Sequence, residues 1–223
     1  MSERAGPERE PISELTTGRL SVYLRCLTFL ESVPQKTVSS RELAERFHLN
    51  SAQIRKDLAC FGEFGTRGVG YNVSGLKETL VRTLGLDRAR SVLIAGAGNL
   101  GMALADYHGF NSKGFHIVGM IDIDPQKIGR TSRSGVAILS WDSLERIVRT
   151  NMVEIGIIAV NAESAQTVYD ALVAAGVRAV LNFAPVQIRL SNGVKIKSVD
   201  LRINLESLSY YLKSEEDGGD GGL

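Results

Sequence analysis

The chain has 223 residues and a mass of 24.2 kDa, with 43% hydrophobic and 23% charged residues. That balance is ordinary for a globular protein and excludes whole-chain disorder, a collagen and a coiled-coil rod. Lys plus Arg number 26 and Asp plus Glu 25, so the formal charge of +1 argues against a uniformly basic nucleic-acid coat. Two cysteines, Cys26 and Cys60, are too few for a disulfide scaffold or a zinc finger. Both sit beside apolar neighbours and are expected in the core. No leader pattern opens the chain and no run reaches the length of a membrane span, so the expectation is a cytoplasmic protein without membrane contact.

Residues 1–15 are polar, hold Pro7 and Pro11, and read as a flexible arm. From there the chain divides near residue 85. Residues 16–84 hold ten Lys and Arg against six acids, whereas residues 91–223 hold twelve against fourteen. Near-neutrality is therefore the sum of a basic half and a mildly acidic one.

In the basic half, Leu20, Tyr23, Leu24, Leu27 and Leu30 fall at helical spacing from Thr17 to Ser32, and Pro34 stops the helix. Ser39 and Glu42 form a capping box that opens a short second helix with Leu43, Ala44 and Phe47 on its apolar side. After the turn His48-Leu49-Asn50, Asn50 caps a third helix from Ser51 to about Phe61, with Gln53 at the capping-box position. Two short helices joined by a tight turn suggest a helix-turn-helix. Ser51, Gln53, Arg55 and Lys56 then stand where a recognition helix meets base edges and phosphates. A three-helix bundle with a solvated face would show the same spacing. The run Gly62 to Tyr71 carries four glycines and reads as a hairpin wing with Arg67 near its tip, a cation suited to a narrow minor groove.

Beyond residue 90, the apolar run Ser91–Ala95 leads into Gly96-Ala97-Gly98-Asn99-Leu100-Gly101, and a helix is expected over Met102–Tyr107. Strand, GxGxxG and helix in that order are what a dinucleotide pyrophosphate requires. A second strand over Phe115–Ile121 ends in Asp122, which follows Gly101 by 21 residues. A carboxylate there accepts ribose hydroxyls and repels a 2′-phosphate, so NAD or NADH is expected over NADP. Lys127 and Arg130 downstream weaken that exclusion. Strands at Glu154–Val160, Arg178–Phe183 and Val194–Val199, with a helix at Ser164–Ala175, complete a doubly wound sheet over residues 85–200. A final helix over 201–213 places Leu201, Leu205, Leu208 and Leu212 on one side, a stripe that needs a cover. Residues 214–223 read as a disordered tail.

Three function classes fit these parts: a dinucleotide-responsive DNA-binding regulator, an NAD-dependent oxidoreductase with a fused helical domain, and a CoA- or nucleotide-binding subunit. The oxidoreductase lacks an evident acid–base pair: His48 lies in the helix-turn-helix, His108 and His116 flank a loop, and no Tyr-x-x-x-Lys occurs.

The chain resembles the Rex family of redox-sensing transcriptional repressors. The matching stretches are Arg19-Leu20 with Tyr23-Leu24-Arg25, Gln53-Ile54-Arg55-Lys56-Asp57-Leu58, Phe61-Gly62 with Gly65 to Tyr71, the Gly96 to Gly101 turn, Asp122 to Pro125 and Asn182 to Val186. The resemblance implies an α/β protein: an N-terminal winged helix-turn-helix domain, a Rossmann domain, and a C-terminal helix swapped between two subunits. It implies a homodimer, not an enzyme, that binds double-stranded operator DNA and is released by NADH, with no protein substrate and no metal. By the same resemblance Arg55, Lys56 and Arg67 touch DNA, with Ser51 and Gln53 nearby. Gly96, Gly98, Asn99, Leu100 and Gly101 hold the pyrophosphate, and Asp122 the ribose. Asn161, Asn182, Phe183, Ala184 and Pro185 lie near the nicotinamide. Tyr107 senses its state, and Asp200 pairs with Arg25 of the other subunit. Two departures from the family pattern are Ser21-Val22 before Tyr23 and His108 after Tyr107.

Overall fold

The computed structural model describes residues 13–33, 35–61, 65–66, 69–111 and 114–218. The chain divides between Arg88 and Ala89 into two compact units.

In the first unit, α1 (Glu14–Glu31) is capped by the Ser13 side chain, so Glu14 and Leu15, expected in the arm, are helical. The short strand β1 (Thr37–Val38) leads to α2 (Ser40–Phe47), and the Ser39–Glu42 capping box forms in both directions. His48 closes α2 in the left-handed region, with φ 53°. Asn50 caps α3 (Ser51–Ala59) through its side chain, but Gln53 does not reach back to complete a box. Its amide turns instead to Asp57, a better acceptor one helical turn on. The helix ends at Ala59, two residues short of expectation, and Cys60 just beyond it is exposed rather than in the core. Strands β2 (Gly65–Thr66) and β3 (Gly70–Asn72) pair antiparallel, and β3 also pairs with β1. Pro34 and the wing-tip Arg67 lie outside the described residues. Helix α4 (Val73–Thr83), capped by Asn72, packs on α1 through Val73, Leu76 and Leu80. Lys77 of α4 pairs with Glu31 of α1. One apolar core, centred on Leu20, Leu27, Leu30, Ile54 and Leu80, holds this unit.

The second unit opens with β4 (Arg90–Ala95), α5 (Asn99–Ala105), α6 (His108–Asn111) and β5 (Phe115–Asp122). It continues with β6 (Ile138–Ser140), a 3-10 turn at Trp141–Ser143, α7 (Leu144–Thr150) and β7 (Ile155–Ile158). It closes with α8 (Ala162–Ala174), β8 (Ala179–Asn182), β9 (Lys195–Ser198) and α9 (Leu201–Gly218). All six strands are parallel, in the order β6-β5-β4-β7-β8-β9. That is the 3-2-1-4-5-6 order of a dinucleotide-binding sheet, which reverses direction between β4 and β7. Alternation along β4 sends Val92 and Ile94 to one face and Leu93 and Ala95 to the other. Each face carries its own core, with α5 on the first and α7 and α8 on the second.

The helix after the glycine turn starts and ends earlier than Met102–Tyr107, with Asp106 as its C-cap and the Asp106 carboxylate accepting the Ser134 N–H at 2.7 Å. At the other end of the unit α9 runs on to Gly218, so Ser214–Gly218, expected in the tail, is helical. Among the described residues no helix is long and apolar enough to cross a membrane.

Candidate DNA-reading and dinucleotide sites

Helix α3 has two sides. Ile54 and Leu58 are buried in the core, while Arg55 and Lys56 are exposed. Arg55 donates to the Ser40 hydroxyl at 3.2 Å, which ties its guanidinium to the first residue of α2. Ser51 stands half-buried at the first position of the helix. Between the two sides lies a charged cluster centred on Asp57, whose members other than Gln53 were given no role from the sequence. The Asp57 side chain is only 3% exposed. Arg19 of α1 donates to both its oxygens, at 2.6 and 2.8 Å, the Tyr23 hydroxyl donates at 2.8 Å, and the Gln53 amide at 2.7 Å. The Arg19 bonds come first in holding the Asp57 carboxyl below its ordinary range, against the opposing effect of burial. Burial and the bond to Asp57 push the Tyr23 phenol upward. The cluster bolts α3 to α1, and a bidentate Arg–carboxylate pair fixes angle as well as distance.

In the second unit the turn between β4 and α5 is shaped by its glycines. Gly96 has φ 102°, and a Cβ there would meet the Ala159 carbonyl oxygen at 2.5 Å. A Cβ on Gly101 would fall 1.9 Å from the Gly96 carbonyl oxygen. Around Gly98 the space is open to 4 Å, on the side from which a pyrophosphate would approach. Whereas α1, α2, α3, α4 and α8 each begin with a side-chain cap, Gly98 offers none to the first turn of α5. Asn99 and Leu100 are exposed in that turn. Free N–H groups and the positive end of the helix suit an anion.

Asp122 closes β5 beside this turn. It accepts the Ala97 N–H at 2.8 Å, the Asp124 N–H at 2.9 Å and the Lys127 ammonium at 3.2 Å. Burial raises its pKa, but those three donors together outweigh burial and leave it lowered. The carboxylate is therefore ionised and already part-neutralised by Lys127, which softens the repulsion of a 2′-phosphate. Gly96, Asp122, Ile123, Trp141, Val160 and Glu163 are among the residues lining a cavity of about 340 Å³ at the carboxyl ends of the central strands. Ile123, Trp141 and Glu163 were not singled out from the sequence. Ile123 is 79% exposed, an apolar side chain next to a ribose-type carboxylate, and that adjacency was the available signal.

Two expected ligand groups hold local structure, one of them buried and the other exposed. Asn182 is fully buried: its amide donates to the Ala184 and Val186 carbonyls and the Ser198 hydroxyl, and accepts the Ala184 N–H. It shapes the loop of Phe183, Ala184 and Pro185. Asn161 caps α8 by accepting the Ser164 N–H at 3.1 Å. Tyr107 lies between α5 and α6, 58% exposed, with its ring edge-on to Phe110 at 5.0 Å. Asp200 accepts the Arg202 N–H at the start of α9, and Arg25 is exposed on α1.

Comparison with known proteins finds relatives for both units. Residues 11–59 match a family model described as a putative DNA-binding protein N-terminus, and residues 87–186 one described as a CoA binding domain. The chain is 49% identical to the redox-sensing transcriptional repressor Rex of Desulfitobacterium hafniense, over 89% of this chain and 94% of that protein. It is 44% identical to that of Streptomyces avermitilis, over 100% and 89%. Among solved structures, RSP in complex with β-NAD+ and operator DNA matches with a TM-score of 0.88 and 37% identity, covering 96% of this chain and 100% of that one. RSP in complex with β-NADH matches with a TM-score of 0.83, covering 93% and 97%.

Proposed function

The chain belongs to the Rex family of redox-sensing transcriptional repressors, and on that premise we propose that it binds operator DNA as a cytoplasmic homodimer and releases it when NADH binds. It is a regulator, not an enzyme. The observation that carries this reading is the presence, in one chain, of a recognition helix with exposed cationic side chains and a dinucleotide turn with Asp122 at its side. RSP, similar over nearly the whole length, is solved with NAD+ and operator DNA together and with NADH.

Helix α9 supports the dimer. Leu201, Ile203, Leu205, Leu208, Tyr210, Tyr211 and Leu212 are all more than half exposed. An isolated amphipathic helix of 18 residues is marginal in water, so its apolar side needs a cover, and an exchange of α9 between two subunits supplies one. In that dimer Asp200 pairs with Arg25 of the second copy. Arg55 and Lys56 contact the major groove, with Ser51 beside them, and Arg67 reaches the minor groove. Dimeric readers must hold their recognition helices about 34 Å apart to meet successive grooves. A ligand that favours a dimer of another spacing releases DNA, provided that it binds the two states unequally. Tyr107 and the loop from Phe183 to Pro185 are the groups proposed to tell the neutral dihydronicotinamide from the cationic ring.

An anisotropy titration tests this on a labelled duplex that the protein selects from a random pool. Micromolar NADH is expected to abolish binding while the same NAD+ leaves it in place, and equal effects of the two would overturn the reading. Asp122→Ala is expected to weaken NADH at least about tenfold and to leave DNA binding resistant to it.

A further inference from the structure

The cluster around Asp57 contains one atom that the packing does not use. Gln53 stands at the third position of the recognition helix, half-buried, with its amide against Asp57. An ionised carboxylate can only accept hydrogen bonds, and Arg19 keeps Asp57 ionised. The amide must therefore turn its nitrogen inward. Gln53 Oε1 accepts nothing among the described residues, and no described side-chain oxygen or nitrogen is both buried and unpartnered. The oxygen is accordingly open to solvent near the amino end of α3, the end that enters the major groove.

We propose that Asp57 fixes the polarity of the Gln53 amide, so that Gln53 reads a base that offers a donor to the major groove, adenine first. This rests on the reading of the chain as an operator-binding repressor and names one of its specificity-determining residues. Adenine presents its N6 amino group to Oε1 and its N7 acceptor to the second proton of Nε2, for two bonds. Cytosine presents N4 alone. Guanine and thymine show oxygen acceptors where Oε1 needs a donor, and an oxygen facing an oxygen is repelled. Asp57 acts through Gln53 and is a positioning residue, with Arg19 and Tyr23 holding it in turn.

The test uses the full-length chain and the duplex that it selects from a random pool, with each base pair of one half-site replaced in turn. The wild type is expected to show one position where adenine binds about tenfold tighter than guanine. In Gln53→Ala the preference at that position falls to within about twofold, and the ranking elsewhere stands. Asp57→Asn is the sharper variant. Its new amide presents N–H to Gln53, which then turns its own oxygen inward and its nitrogen outward. The preference at the same position is expected to swing from adenine toward guanine. A uniform loss at every position in Asp57→Asn would show that Asp57 only supports the fold, and would overturn the orienting role. An unchanged profile in Gln53→Ala, which leaves the core intact, would overturn the readout. A wild-type chain that selects no sequence would sink the repressor reading itself, an outcome distinct from a selective chain that ignores Gln53.

Discussion

On the proposed function, the two units solve recognition with opposite materials. In the winged-helix unit the chemistry sits on long side chains, Arg55 and Lys56 above all, carried outward from a single core. In the dinucleotide unit it sits on backbone: the open face of Gly98, the uncapped first turn of α5, and one carboxylate at a strand end. A side-chain site fails when atoms are removed, whereas a backbone site fails when atoms are added. A polyanionic helix is met from outside, at a distance that only long side chains span. A dinucleotide is enclosed at the sheet, where any side chain in the turn stands in its place.

The largest expected effects test that contrast at the glycine turn. Gly101→Ala puts a Cβ 1.9 Å from the Gly96 carbonyl oxygen, backbone that cannot step aside. Loss of about 4 kcal/mol or more is expected, read as a collapse of the second unit's melting transition. Gly98→Ala adds the same methyl to open space and is expected to leave stability within about 0.5 kcal/mol while NADH binding falls in calorimetry. If Gly98→Ala bound NADH normally, the turn would not be a backbone site.

Next is Asp57→Ala, which removes the acceptor from Arg19, Tyr23 and Gln53 together. Breaking a buried pair costs about 3–5 kcal/mol when the survivor stays buried. Arg19 keeps 35% exposure and can return to water, so about 2–3 kcal/mol is expected from denaturant unfolding of the first unit. His48→Gly works the other way. His48 holds φ 53°, a region glycine enters freely, and a gain of about 0.5–1 kcal/mol is expected at unchanged m-value.

The smallest effect is local and depends on pH. The Ser134 N–H first, then the Ser132 hydroxyl, lower the Asp106 carboxyl to about 2. A carboxyl lowered in the fold stabilises fully above its ordinary 3.8 and loses that contribution as pH falls through about 2. Exchange of the Ser134 amide is expected to speed up across that window and to be fast at all pH in Asp106→Ala.

Elements with a signal inside one or two turns of chain were legible before folding. The capping box at Ser39 and Glu42, the strand–glycine–helix sequence at Gly96 and the carboxylate ending β5 all stand where the sequence puts them. Short or weakly patterned pieces were not. β1 and β6 have two and three residues, and their pairing comes from strands far along the chain. Helices α4 and α7 carry apolar spacing that went unread between stronger motifs.

The sequence by itself determined which stretches are helix, turn and strand and which residue types offer phosphate, ribose or base chemistry, because those follow from local propensity and spacing. Only the tertiary structure decided where polar side chains point. Asn182 bonds within its own loop and Asn161 caps α8, which spacing alone did not indicate. Cys60 reads as core yet lies exposed because α3 ends before it. Gln53 reads as a cap yet bonds Asp57, whose other partners, Arg19 and Tyr23, are 38 and 34 residues away. A polar side chain takes the strongest partner within reach, and folding decides which partners are within reach.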